Sequence, residues 1–263
     1  MKYRYKNLST EKLYNNGDFK SNIVESFIKN HNEIYESLIK NSKKINKASN
    51  ILQDTYLNGG RIFFIGAGTS GRLGVMEAAE MPPTFGVESE KFIGLIAGGR
   101  KALTVAAEGA EDRGELAIDE LNKYNFNKKD FLVGISASGT SDYVLSALRK
   151  AKKMKSKNIL LSCNKPKVKI SDLDIILKVG PEILAGSTRL KSGTITKIAL
   201  NIITTSAMMM ADHSYKGLMI DIKPTTKKLR ARCINNLSII LKIEDSLAIK
   251  LLEKSKWNIR VAV

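Results

Sequence analysis

Five short apolar runs, separated by stretches of helical periodicity, constrain the fold of this chain more than any other feature of its sequence. The runs span residues 62–66, 91–97, 131–136, 158–163 and 175–179. Helical patterns cover residues 72–80, 102–124, 143–154 and 192–210. Strands that are apolar throughout and alternate with helices form parallel sheets covered on both faces. The sequence therefore predicts an α/β fold with a doubly wound, parallel five-stranded sheet flanked by helices.

The segments on either side of this pattern differ from it. Apolar residues at helical spacing between residues 19 and 58 predict a helical lead-in that stops at the Gly59-Gly60 pair. Two amphipathic stretches, near 227–243 and 246–263, predict a small helical region at the other end. We therefore expect an N-terminal helical segment at 1–58, a sheet domain at 59–222 and a helical C-terminal domain at 223–263. The helical pattern continues to Val263, so we expect this last domain to be truncated.

The chain is strongly basic, with a formal net charge of +17 over 263 residues. Its Lys residues are spread along the chain rather than gathered with Arg and aromatic residues, so we expect a solvated basic surface and no nucleic-acid partner. The longest weakly polar run, 198–211, is too short to cross a bilayer, and the N-terminus lacks the apolar core of a signal peptide. Cys163 and Cys233 have no metal-type spacing. These features predict a cytoplasmic protein without a membrane partner.

The first apolar run ends in Gly66-x-Gly68-x-x-Gly71, which satisfies the spacing of a dinucleotide-binding loop. Such a site also needs an acid at the end of the second strand, and residues 94–99 contain none. A second loop of glycine and hydroxyl residues follows the third run, and this pairing favours one terminal phosphate. The candidate phosphate-binding residues are Gly68, Thr69, Ser70, Gly71, Ser136, Ser138, Gly139 and Ser141. Dinucleotide binding, or glycines that serve packing alone, remain as alternatives.

Five motifs closely resemble the N-acetylmuramic acid 6-phosphate etherases, which are sugar isomerase (SIS) domain proteins related to the glucokinase regulatory protein. They are GAGTSGRLGVMEAAEMPPTFG at 66–86, LIAGG at 95–99, AAEGAED at 106–112, VGISASG at 133–139 and GSTRLKSGT at 186–194. The resemblance implies a SIS-type sheet domain, a homodimer, and catalysis without a metal or organic cofactor. It implies a lyase that cleaves the D-lactyl ether of N-acetylmuramic acid 6-phosphate, giving N-acetylglucosamine 6-phosphate and D-lactate by elimination and hydration.

The same resemblance implies two catalytic carboxylates, Glu80 and Glu111. One would protonate the leaving ether oxygen, and the other would remove the proton at C2 of the sugar. We assign Glu80 as the acid and Glu111 as the base, although the sequence does not fix which is which. Pro82 predicts that the helix ends near Glu80. The negative end of the helix dipole would then raise the pKa of the Glu80 carboxyl, as a general acid requires.

Two further segments carry candidate ligand contacts. The acids of 108–112 repel one another in a helix that Gly109 already weakens, which hints at function, although a solvated helix start would also accept them. We assign Glu108 to the sugar hydroxyls. The resemblance implies that the loop 186–194, with Ser187, Arg189 and Lys191, lies near the substrate, where its cations could meet the lactyl carboxylate. The alternative there is a helix N-cap with exposed basic residues.

One departure from the family pattern concerns the second glycine loop. The etherases usually continue with Arg-Thr-Pro, whereas this chain has Thr140-Ser141-Asp142. We expect Asp142 to cap the following helix, because an acid elsewhere near a phosphate would repel it. Two other functions remain open at this point, a sugar-phosphate sensor without catalysis and a sugar-phosphate isomerase.

Overall fold

The computed structural model of the protein describes residues 7–15 and 21–263. A parallel sheet of five strands forms its centre, in the order β2-β1-β3-β4-β5. The strands are β1 (Ile62–Gly66), β2 (Phe92–Ile96), β3 (Phe131–Ile135), β4 (Lys157–Ser162) and β5 (Leu173–Ile176). The predicted doubly wound sheet is confirmed. The strand order reverses between β1 and β3, and open sheets of this kind bind ligands at the carboxyl ends of the strands beside such a reversal.

Helices cover both faces of the sheet. They are α2 (Glu33–Leu57), α3 (Gly68–Phe85), α4 (Gly114–Lys123), α5 (Asp142–Lys153) and α6 (Lys191–Met210), and the short helix α1 (Ile23–Asn30) precedes them in the chain. One apolar core joins α2, α3 and α6 to one face of the sheet, and a second joins α4 and α5 to the other. Because the strands are buried from both sides, their sequences are apolar at nearly every position.

The N-terminal lead-in is helical, as predicted, but it is divided in two. The chain turns at His31 and Asn32 between α1 and α2. Gly59 follows α2 with a φ of +77°, the left-handed conformation expected at a helix end. Residues 19 and 20 of the predicted segment lie outside the described residues.

The prediction that α3 ends near Glu80 is wrong. The helix continues through Pro82 and Pro83 to Phe85, and Gly86 closes it with a φ of +66°. Met81 and Phe85 are buried in the core, and burial of two such side chains is worth about 1.5–3 kcal/mol each. This packing offsets the loss of the backbone hydrogen bonds that the two prolines cannot donate within the helix. Glu80 therefore does not lie at a helix C-terminus, and the dipole argument for its acid role fails.

The predicted helix over 102–124 is also wrong in its first half. Short 3-10 turns occupy Arg100–Leu103 and Ala110–Asp112, and α4 begins only at Gly114. Gly109 has a φ of +73°, which a right-handed helix cannot contain. Glu108 thus lies outside any helix, so the helical spacing on which the expected like-charge repulsion rested is absent.

An antiparallel hairpin that sequence analysis missed follows α6, and it consists of β6 (Ser214–Tyr215) and β7 (Leu218–Met219). After it come α7 (Lys227–Leu241), α8 (Asp245–Lys254) and α9 (Ile259–Ala262), where two helical stretches were predicted. These helices share a small core of their own that includes Cys233, Leu237 and Leu252. The domain limits at 58 and 222 stay predictions. Within 7–15 and 21–263, no helix has the length and apolarity needed to cross a membrane.

Candidate active site

A cavity of about 550 Å³ lies where β1 and β3 end, beside the reversal of strand order. Its walls come from the loops after β1, β2 and β3 and from two distant segments. The lining residues with polar or charged side chains are Glu11, Thr69, Ser70, Arg72, Glu108, Glu111, Ser136, Ser138, Ser141 and Thr188. Glycines and alanines form most of the remaining wall, so backbone groups are accessible to a ligand.

Two helices begin at this cavity. Ala67 and Ser141 are the N-cap residues of α3 and α5, and neither side chain accepts a hydrogen bond from its helix. Backbone N–H groups and the positive dipole end of a helix favour an anion at such a position. Asp142 is not the cap, contrary to our expectation, because it lies inside the first turn of α5.

Two glycines of the first loop have different roles, one at the cavity wall and one in the packing of α3. Gly68 lines the cavity with a φ of +53°, and a Cβ there would meet nothing within 4 Å. A Cβ on Gly71 would lie 2.6 Å from the carbonyl oxygen of Gly66 and from Cγ1 of Ile96. Gly71 is therefore required for close packing of α3 on the sheet. It is not among the described residues that line the cavity.

The second loop is held by its own hydroxyl groups. Thr140 Oγ1 donates to Ser138 Oγ at 2.9 Å, and the Ser136 and Ser138 hydroxyls lie 3.4 Å apart. The N–H of Gly139 donates to Ser136 Oγ at 3.1 Å, so this glycine shapes the turn from outside the cavity wall. Ser136 and Ser138 face the cavity, as predicted for a phosphate cradle.

Glu108 and Glu111 also line the cavity, and both are exposed to solvent. Ser141 Oγ donates to the backbone carbonyl of Glu111 at 3.1 Å. This hydrogen bond ties the acidic segment to the start of α5. The structure thus brings the predicted base Glu111 and the predicted phosphate loops to one cavity, although they are far apart in sequence.

Glu80 does not lie at the cavity with Glu111 and the phosphate loops. It lies about 18 Å along α3 from Gly68, taking roughly 1.5 Å per residue. Thr69, Leu73, Met76 and Glu80 have helical spacing and share one face of α3, which runs from the cavity to the exposed Glu80. Within one copy of the chain, Glu80 does not line the cavity among the described residues.

Lys191 is also away from the cavity. It is 1% exposed, and its Nζ pairs with Glu33 Oε2 at 3.1 Å. The backbone N–H groups of Lys191 and Ser192 donate to the buried carboxylate of Glu182, which caps the start of α6. The loop thus leads into α6, as the N-cap alternative expects, but Lys191 is buried rather than exposed, and the capping side chain is Glu182, which precedes the loop. Ser187 is likewise absent from the cavity wall among the described residues, and its neighbours Gly186 and Thr188 take that position.

Sequence analysis missed two charged lining residues, Glu11 and Arg72. Arg72 Nε donates to the carbonyl of Leu103 at 2.9 Å, which fixes the guanidinium at the cavity. It is the one basic side chain among the described lining residues, against the acids Glu11, Glu108 and Glu111. The motif containing Arg72 was recognised, whereas the sequence around Glu11 gives no pattern that points to a site.

A third missed acid, Glu77, lies outside the cavity wall, on α3 where it packs against α6. It is 4% exposed, and it accepts hydrogen bonds from Asn201 Nδ2 at 2.6 Å and from Thr204 Oγ1. Burial raises the pKa of the Glu77 carboxyl above its ordinary value. The residues beside Glu77 in its motif are apolar or small, so the sequence gives no reason to single out this acid.

Comparison with known proteins gives consistent matches. The family model of the glucokinase regulatory protein N-terminal SIS domain matches residues 43–152. An N-acetylmuramic acid 6-phosphate etherase of Staphylococcus epidermidis is 49% identical over 208 residues, which cover 78% of this chain and 70% of that protein. Etherases of Vibrio atlanticus and Mycoplasma mycoides are 44% and 42% identical, each over 84% of this chain and over 72% and 75% of their own lengths.

Solved structures show the same fold at low sequence identity. A protein of E. coli CFT073, solved as a complex with a small ligand, has a TM-score of 0.51 and 19% identity, over 72% of this chain and 89% of that one. The Vibrio vulnificus NanR protein complexed with ManNAc-6P has a TM-score of 0.50 and 14% identity, over 82% of this chain and 69% of its own. These structures support the SIS-type sheet.

Proposed function

We infer the function of this chain from the family to which it belongs, the N-acetylmuramic acid 6-phosphate etherases. The chain is a carbon–oxygen lyase that cleaves the D-lactyl ether of N-acetylmuramic acid 6-phosphate, giving N-acetylglucosamine 6-phosphate and D-lactate. The observation that carries this proposal is the meeting of two hydroxyl-lined helix N-termini and the Glu111 carboxylate at one cavity.

We propose that the substrate phosphate lies between the two glycine loops. Thr69, Ser70, Ser136 and Ser138 offer hydroxyl donors there, and the first turns of α3 and α5 offer backbone N–H groups. Arg72 adds a fixed positive charge at the same cavity. One terminal phosphate matches this set of donors, and the strand β2 again offers no acid for the ribose of a dinucleotide.

The reaction proposed for this site is elimination followed by hydration. In the open-chain sugar, C2 lies next to the C1 aldehyde, so a carboxylate can remove its proton. The C2–H and C3–O bonds break, a double bond forms between C2 and C3, and the ether oxygen leaves with a proton as D-lactate. Water then adds its oxygen at C3 and a proton at C2. We assign the base to Glu111 and sugar hydroxyl contacts to Glu108, both of which line the cavity.

We keep Glu80 as the general acid, supplied from a second copy of the chain. Arg72 is the α3 residue nearest to Glu80 that lines the cavity, and Glu80 lies about 12 Å further along the helix, which is beyond the reach of a Glu side chain. We therefore propose that Glu80 does not serve the cavity of its own subunit. Met76, on the same face of α3, is 40% exposed, an apolar surface that a partner subunit could cover. This assignment accords with the homodimer that the family resemblance implies.

We also propose that this reaction takes place in the cytoplasm. Cys163 and Cys233 are both free and buried, and unpaired cysteines are typical of reducing compartments. The proposed chemistry needs acids, bases and hydrogen-bond donors, which this chain supplies from its own side chains.

Incubation of the protein with N-acetylmuramic acid 6-phosphate in D2O tests the proposal. We expect release of D-lactate and one solvent deuterium at C2 of the N-acetylglucosamine 6-phosphate formed, because C2 loses its original proton and regains one from solvent. D-lactate without deuterium at C2 would refute elimination. Binding of the phosphosugar without any release would favour the sensor alternative, and interconversion of sugar phosphates without lactate would favour the isomerase.

A further inference from the structure

We infer that Glu11 is a specificity-determining residue of the cavity, where it accepts hydrogen bonds from the neutral sugar end of the ligand. This inference rests on the proposed function in taking the ligand to be a phosphosugar. Glu11 is carried by residues 8–11, which we name the N-terminal strap. The strap ends in a 3-10 turn, Ser9–Glu11, and Glu11 lines the cavity together with the phosphate loops.

The N-terminal strap is tied to the second phosphate loop through Asn164. The backbone N–H and the hydroxyl of Ser9 both donate to Asn164 Oδ1 at 2.9 Å. Asn164 Nδ2 donates in turn to Thr10 Oγ1 at 3.3 Å and to the carbonyl of Ala137 at 3.0 Å. Thr10 is fully buried, and Ala137 stands between the cradle residues Ser136 and Ser138. The position of the strap is therefore fixed by the same loop that we propose for phosphate.

The strap also contacts the loop 186–194. The N–H of Gly186 donates to the carbonyl of Thr10 at 2.9 Å. A Cβ on Gly186 would lie 2.6 Å from Glu11 Oε2, and the φ of Gly186 is +79°. Gly186 and Glu11 both line the cavity. The close approach of the Glu11 carboxylate thus requires glycine at 186, and the two segments form one wall.

A carboxylate at this wall selects among the groups of a ligand. An ionised carboxylate only accepts hydrogen bonds, so it favours hydroxyl and amide N–H donors. It repels an anion nearby, because like charges repel one another. The hydroxyls and helix N-termini at the phosphate loops instead favour an anion. Glu11 would therefore hold the amino sugar in one orientation and disfavour the reverse one.

Calorimetric binding to the full chain tests this role with two probes, N-acetylglucosamine 6-phosphate and inorganic phosphate. We expect Glu11→Gln to weaken binding of the phosphosugar about tenfold, corresponding to about 1.4 kcal/mol. Its affinity for inorganic phosphate should stay the same or rise, because a negative charge has been removed. Gly186→Ala should reproduce the loss by displacing the carboxylate. Glu36→Gln, an exposed acid on α2 outside the cavity wall, serves as the matched control.

The outcomes separate this inference from the proposed function. Equal weakening of both probes, or no change in either, would overturn the role of Glu11 while leaving the etherase activity of the unmodified protein intact. If the unmodified protein binds the phosphosugar but releases no D-lactate, the proposed function fails and the binding ratio still decides on Glu11. Failure of the unmodified protein to bind the phosphosugar would overturn both. Thermal unfolding of each variant shows that the chain remains folded.

Discussion

Glu77 is a buried acid whose protonation should be visible in the stability of the protein. Its pKa is raised first of all by burial, while hydrogen bonds from Thr204 and Asn201 and the charge of Lys197 oppose the shift. The nearby charge of Glu80 adds to it. The folded protein therefore binds a proton at pH values where the unfolded chain has lost it. Stability from this group is complete below the ordinary pKa near 4.5 and falls as the pH rises through the folded pKa.

We predict that Glu77→Gln changes this pH dependence. At low pH the variant should lose about 1 kcal/mol, because one hydrogen-bond acceptor becomes a donor. The deficit should narrow as the pH rises above about 4.5, since only the wild-type protein then carries the penalty of a buried charge. Denaturant unfolding at a series of pH values measures this difference. A deficit that stays constant with pH would contradict the assignment.

Single residues also show where sequence reasoning reached its limit. Ser136, Ser138 and Glu111 could be proposed because each belongs to a recognisable motif, and all three line the cavity. Lys191 belongs to such a motif too, yet it is buried against Glu33. A motif identifies a segment, but whether a side chain faces the cavity or the protein depends on contacts with residues far along the chain.

At the scale of elements, close packing of α3 on the sheet sets the position of the phosphate loop. A Cβ on Gly94 in β2 would lie 2.4 Å from the Cα of Val75 in α3. A Cβ on Gly74 would lie 2.9 Å from Cβ of Phe64 in β1. The glycines of both partners therefore allow the helix to approach the strands more closely than larger residues would.

We predict that Gly94→Ala destabilises the protein by about 1–3 kcal/mol, because backbone atoms of Val75 must move. Gly193→Ala in α6 is the matched control, since its Cβ would lie no closer than 3.4 Å to its nearest neighbours, the carbonyl oxygen of Thr188 and Cγ2 of Thr69. That control should be neutral or gain up to about 1 kcal/mol from helix propensity. Equal stability of the two variants in denaturant unfolding would show that α3 has room to shift.

The strands could be predicted from sequence because burial from both sides makes them apolar throughout. The course of α3 past Pro82 could not, since burial of Met81 and Phe85 outweighs a local preference for ending the helix. Between residues 102 and 124, helical periodicity was present, but Gly109 adopts a left-handed conformation and confines α4 to the second half. Local patterns thus predicted elements well where tertiary packing agreed with them.

At the scale of the whole molecule, the cavity collects residues from segments that no local pattern connects. Glu11 and Gly186 are far apart in sequence, and only the folded sheet brings them together. The proposed role of Glu80 also depends on the whole molecule, because this exposed residue lies far along α3 from the cavity. A site shared between two copies would combine the cavity of one subunit with Glu80 of the other.

We predict that paired inactive variants restore activity if two copies share each site. A heterodimer of one Glu80→Gln subunit and one Glu111→Gln subunit, purified through two different tags, would contain one site with both acids. It should recover about half of the D-lactate release of the wild-type dimer. If both acids belonged to the same subunit, the heterodimer would remain inactive, and the partner assignment of Glu80 would be wrong.

The most direct test of the account is D-lactate release by Glu111→Gln, measured beside its binding of N-acetylglucosamine 6-phosphate. The glutamine keeps the shape of the side chain but cannot remove the C2 proton, and loss of such a base reduces rate by about 10²–10⁴-fold. We predict that release falls by at least about 100-fold while the phosphosugar still binds, because the phosphate loops are unchanged. Release at the wild-type rate from the folded variant would contradict the assignment of the reaction to this cavity.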